Sequence, residues 1–253
     1  MNKLKEILTS LKHLGCSGIK ISYEDEGALL NEVISMRYLT SNIGIDLSIK
    51  IGGCEAKRDI VDCLNINCDS IVAPMIESRF ALTKFINSLN QYNYTGKKGF
   101  NLETINAYNK LDDISKEFSN IDYVTFGRVD FVNSLNKNRS YVNDKDMYDI
   151  VENVFKKTKE QNKKCYLGGA ISINSNDFIK KLIENNLLDY FETRYIIFDT
   201  KKINFDNFDN LLYYANLFEV EWLTFISNRY GELFNKDKER IKMIEERINI
   251  INK

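Results

Sequence analysis

The chain has 253 residues, with 35 Lys and Arg against 36 Asp and Glu and a formal net charge of −1. At 43% hydrophobic, with 14 Tyr and 15 Phe, it can bury a real core, which argues against disorder. The balanced charge argues against sequence-independent nucleic-acid binding, and a single histidine, His13, excludes multi-histidine zinc sites.

The opening MNKLKEILTSLKHLG is charged and amphipathic and lacks the apolar block of a signal peptide. Residues 3–14 read as a helix, with Leu4, Ile7, Leu8, Leu11 and Leu14 on one stripe. A strand over 19–23 follows, then a helix over 27–42, a strand over 46–51 ending in Gly52-Gly53, and a helix over 55–66. The next pairs are strand 70–73 with helix 78–90, and strand 98–102 with helix 104–117. Strand 123–126 enters a long polar loop, 127–143, before a helix over 144–161. Strand 164–168, helix 174–186 and strand 190–198 complete the alternation, and 206–249 read as helical. No apolar run approaches the roughly 18 residues of a membrane span. The five scattered cysteines form no CxxC pair and fit a reducing compartment, so a cytoplasmic protein with no membrane partner is expected.

Strands separated by helices of this length mean βα units and a parallel sheet, and 253 residues suit a (β/α)8 TIM barrel. Seven strands are counted, so an incomplete or irregularly closed barrel stays open. No GxGxxG follows the first strand, which counts against a dinucleotide fold. The expected organisation is one domain. Residues 1–205 form the barrel, and helical residues 206–253 pack on it or on a neighbouring subunit.

In such a barrel, chemistry sits at the C-terminal ends of the strands. These ends carry Glu24-Asp25-Glu26, Lys50, Glu77, Glu103, Gly127-Arg128-Val129-Asp130, Gly168-Gly169 and Glu192-Thr193-Arg194. Carboxylates without His or Cys suit a hard divalent cation, Mg2+ or Mn2+, held partly by water. Acids just after strands also stabilise helix N-termini, which is the plainer role for Asp25 and Glu77. Arg194 could contact a substrate or pair internally with Glu192. His13 lies in the first helix, away from every strand end.

Two stretches carry a resemblance. Residues 50–77, KIGGCEAKRDIVDCLNINCDSIVAPMIE, and 103–131, ETINAYNKLDDISKEFSNIDYVTFGRVDF, resemble segments of the HpcH/HpaI aldolase and citrate lyase β-subunit family. The resemblance spans roughly residues 15–200. It implies a phosphoenolpyruvate/pyruvate-type barrel that breaks carbon–carbon bonds through a metal-stabilised enolate of a 2-oxo acid. It further implies that Glu103 and Asp130 bind Mg2+ or Mn2+, that amides around Gly127–Asp130 hold the substrate carboxylate, and that Lys50 replaces a family arginine at the enolate oxygen. Glu24 and Glu26 would support the metal through waters or serve as base, with Arg128 and Arg194 as candidate substrate contacts. The family's histidine base has no counterpart near the first motif, and a first strand is expected to be missing. Phosphoenolpyruvate transfer or condensation, and a non-catalytic barrel used for binding or assembly, are the competing readings; a homo-oligomer is expected.

Overall fold

The computed structural model describes residues 1–251, the side chains of positions 233, 237 and 246–251 aside. Eight strands close into one barrel in chain order. They are β1 (Cys16–Ser22), β2 (Asp46–Lys50), β3 (Ser70–Ala73), β4 (Lys97–Leu102), β5 (Tyr123–Gly127), β6 (Lys164–Gly168), β7 (Tyr190–Glu192) and β8 (Ile196–Asp199). The helices are α1 (Asn2–His13), α2 (Leu30–Ile43), α3 (Lys57–Ile66), α4 (Arg79–Gln91), α5 (Ile105–Asn109), α6 (Leu111–Ile114), α7 (Arg128–Ser134), α8 (Lys145–Glu160), α9 (Asn176–Glu184) and α10 (Phe208–Ile251).

Eight strands close the barrel, which corrects the count of seven, and the closure is irregular because the last strand is antiparallel to both neighbours. The run read as one strand, 190–198, is a hairpin. β7 pairs parallel with β6, the chain turns over Thr193, Arg194 and Tyr195, and β8 returns antiparallel between β7 and β1. The polar loop 127–143 is also corrected, because α7 and a 3-10 turn over Arg139–Asn143 occupy most of it.

One apolar cluster joins the outward faces of the strands to the helices and takes in Phe208, Leu211, Phe218 and Trp222 of α10. Their spacing lays one face of that helix on the barrel. The last two positions of the expected segment 206–253 lie outside the described residues. A second, smaller cluster (Val72, Tyr123, Tyr166 and Ile197, with Tyr190 against it) gathers alternate strand positions at the other face. Three tyrosines from β5, β6 and β7 stack there at 4.3 and 4.5 Å between ring centroids. A Cβ on Gly99 would lie 2.2 Å from the Tyr123 ring, so glycine is required for that ring to enter. The stack lies towards the N-terminal end of the barrel, where it lines one cavity of about 500 Å3 and separates it from the C-terminal end.

Strand direction fixes the course of α10. β8 ends at the N-terminal face, so α10 starts there and climbs antiparallel to α1, with Lys3 paired to Glu221. Asn216 and Glu219 then reach the C-terminal end. Among the described residues, no helix is long and apolar enough to cross a membrane.

Candidate active site

At the C-terminal ends of the strands lies a cavity of about 460 Å3 lined by polar groups from β1, β2, β4, β5 and β7. Successive side chains on a strand alternate sides. Lys20 and Ser22 on β1, Lys50 on β2, Asn101 on β4 with Glu103 just past its end, Thr125 and Gly127 on β5, and Glu192 on β7 therefore share the interior.

Glu103 is 2% exposed. One of its oxygens accepts from the Met75 amide and the other from the Asn101 side chain, both at 2.9 Å. Met75 takes a left-handed backbone, φ 50, where its amide meets this carboxylate. A Cβ on Gly127 would lie 2.8 Å from a Glu103 oxygen, so the carboxylate is packed directly on β5. Burial raises the pKa of Glu103, opposed by the Met75 amide and Lys50. Asp130, in the first turn of α7, is half-buried, and among the described residues its carboxylate has no hydrogen bond or ion pair. Burial also raises its pKa, against the field of Lys50 and with those of Asp25 and Glu24.

Lys50 is buried, with its ammonium 2.7 Å from Glu24. Burial works against its charge, but the Glu24 hydrogen bond and the fields of Glu103, Glu24 and Asp25 prevail and raise its pKa. Lys20 pairs with Glu192 across the barrel. Glu26 accepts from the Ser22 amide at 3.0 Å and faces Arg194 at 3.7 Å. Burial pushes its pKa up to about 7, although Ser22, Lys20 and Arg194 pull it down.

The structure thus brings Glu26, Lys50, Glu103, Gly127, Val129, Asp130 and Arg194 to one cavity, with Glu24 held to Lys50 at its edge. It does not bring Arg128 there. That side chain is fully buried and its guanidinium donates to Gly168 O, Gly169 O, Val142 O, Asn143 Oδ1 and Ser175 Oγ. Arg128 therefore braces the wall instead of contacting the cavity, because backbone carbonyls take up its donors. Arg194 sits in the β7–β8 turn and reaches Glu26 and Asp25, not Glu192, whose partner is Lys20. His13 is exposed in the last turn of α1. Glu77 accepts from Thr104 Oγ1 at 2.6 Å. Sequence reading missed Lys20, Asn101 and Thr125. Their signal was a polar residue at every second position of an otherwise apolar strand.

Gly169 closes one side. Its φ is +83, and a Cβ there would lie 2.7 Å from the Val129 amide nitrogen and 2.8 Å from that of Arg128. Gly169→Ala is expected to cost about 1–3 kcal/mol through backbone strain and contact. Chemical denaturation measures the loss, and a variant as stable as the wild type would show that the α7 amides can yield.

A divalent cation would meet a donor set of two hard carboxylates. Among the described residues, no group of three or more His, Cys, Asp and Glu is placed to hold a metal. The two acids still fit a Mg2+ or Mn2+ that keeps several waters. Glu103 is fixed by its hydrogen bonds, Asp130 is unpaired, and both hold protons more tightly than exposed acids do, a tension that a nearby cation relieves.

No protein-family model matches the chain, and no curated protein matches it. Solved structures do. An HpcH/HpaI aldolase from Desulfitobacterium hafniense superposes with a TM-score of 0.62 at 13% identity, over 76% of this chain and 83% of that one. An HpcH/HpaI aldolase/citrate lyase family protein from Burkholderia cenocepacia gives 0.61 at 12% identity, over 75% and 82%. A variant of the citrate synthase SbnG gives 0.61 at 15% identity, over 76% and 80%. The chain shares the barrel fold of these proteins.

Proposed function

We propose that the protein is a divalent-metal-dependent carbon–carbon lyase of the aldolase type, acting on a 2-oxo acid or an adduct of one. The observation that carries this reading is the placement of Glu103, Asp130 and Lys50 around one cavity at the open end of the barrel. The fold it shares with HpcH/HpaI aldolases supports the reading.

Glu103 and Asp130 would hold the cation, which when bound supplies Lewis-acid polarisation of the substrate carbonyl. Lys50 places a positive charge beside the oxygen on which enolate charge develops as the bond breaks. Its pair with Glu24 keeps the ammonium protonated and aimed. Glu26, with a pKa of about 7, can take a proton from the substrate hydroxyl on cleavage and return one in the reverse direction. The first-turn amides of α7, beside Gly169, offer donors to a substrate carboxylate.

Titration of Mg2+ or Mn2+ with pyruvate or oxaloacetate is expected to raise the melting temperature, because binding to the folded state stabilises it. Glu103→Gln should abolish the rise. No shift with any combination would overturn the reading, and a shift that survives Glu103→Gln would overturn the ligand assignment.

A further inference from the structure

The barrel-facing stripe of α10 does not continue along the helix. At about 100° per residue, Leu211, Ala215, Phe218 and Trp222 share one face, and that face then presents Arg229, Lys236 and Arg240. The apolar residues move about a quarter turn round. Leu223, Phe234, Ile241 and Ile244 lie there, at 49, 60, 54 and 40% exposure. From 231 to 245 every described side chain is exposed except Met243, which is half-buried.

These four residues are on a heptad register. Phe234 and Ile241 are one heptad apart, Leu223 and Ile244 are three apart, and the two sets are offset by three positions, the pattern of a coiled-coil seam. Position 227 of the seam is Ser, and position 230 is Tyr, whose hydroxyl is held by Glu32 of the same chain, so the free part of the seam begins beyond it. Gly231 meets nothing within 4 Å, and an unsupported glycine weakens a helix by about 1 kcal/mol. A solvated arm with an apolar seam and an internal glycine needs a second surface to persist as helix.

We propose that this surface is the same arm of a second copy of the chain, so that the protein is a two-fold dimer joined through α10. The charges beside the seam favour self-pairing. In an antiparallel pair Glu245 of one copy approaches Lys238 of the other, and in a parallel pair it approaches Arg240, each contact being made twice. Tyr230 donates to Glu32 at 2.6 Å and pins the root of the arm to α2, so the arm leaves the barrel in a set direction at its open end.

Sedimentation velocity on the full chain tests this. The expected mass is twice 29.5 kDa at micromolar concentration. The double variant Phe234→Glu/Ile241→Glu should weaken association by about a hundredfold or more and run as a monomer. Its barrel should melt as before, since both positions are exposed. A monomeric wild type across the range, or a double variant that stays dimeric, overturns the proposal.

Discussion

Arg128→Met is expected to remove about 3–5 kcal/mol of stability, on the scale seen when one partner of a buried charged network is lost. Methionine keeps the apolar stem but stops short of the guanidinium, which lies over Phe178 at 5.0 Å. It cannot donate. The carbonyls of Val142, Gly168 and Gly169, the Asn143 side chain and Ser175 Oγ would lose a donor that reaches them at 2.7–3.4 Å. Burial lowers the arginine's pKa to about 9, so the side chain is still a cation at neutral pH, solvated by the protein in place of water. Melting should fall by about 10 °C for a domain of this size. Arg128→Lys should recover little, because an ammonium cannot reach five acceptors spread over three loops. A change below 1 kcal/mol in urea titration would mean that water replaces the guanidinium.

Glu26→Gln is expected to lower turnover by about 10²–10⁴-fold if this carboxylate carries the proton. Its ionisation also leaves a mark on stability that needs no substrate. The folded pKa is about 7, above the unfolded value near 4.3. Folded protein therefore keeps the proton through a range in which unfolded chain releases it. The group's contribution is fully present below about pH 4, declines as pH rises towards 7, and is gone above that. The loss is on the order of 3 kcal/mol. Glutamine can still accept from the Ser22 amide and does not ionise, so Glu26→Gln should gain on the wild type between pH 5 and 8. Urea titrations of both proteins at pH 5 and pH 8 measure the difference. Parallel behaviour at the two values would show that Glu26 ionises freely. In the wild type the rate should climb as pH passes about 7.

The fold was legible where pattern and punctuation agree. Ser70–Ala73 and Lys164–Gly168 stand at the expected positions because each is a short β-rich run between clear helical stripes. The hairpin of β7 and β8 was hidden because Thr193-Arg194-Tyr195 contains no Gly, Pro or Asn, so the run looked continuous. α7 was hidden because its polar residues and its start without a side-chain cap resemble a loop. At the site, reading the strand ends found the residues that lie last on their strands. It could not find Lys20 or Thr125, which sit deeper in the interior. Arg128 was misjudged for a physical reason. The sequence shows that an arginine follows the strand, but its direction depends on five acceptors contributed by segments 14 to 47 residues away.

The inverted β8 also changes how the cavity is polarised. After β2 to β6 the chain enters a helix, so the open end faces a series of fixed partial positive charges that cannot move or titrate. After β7 it turns back at once, and no such dipole guards that sector. Arg194 stands there instead, exposed, with Glu26 and Asp25 only loosely held at 3.7 and 3.8 Å. A whole charge on a long, flexible stem can swing towards an arriving anion. As it leaves Glu26 it would take away one of the fields that hold that acid's pKa down, linking the entry of substrate to the strength of the base.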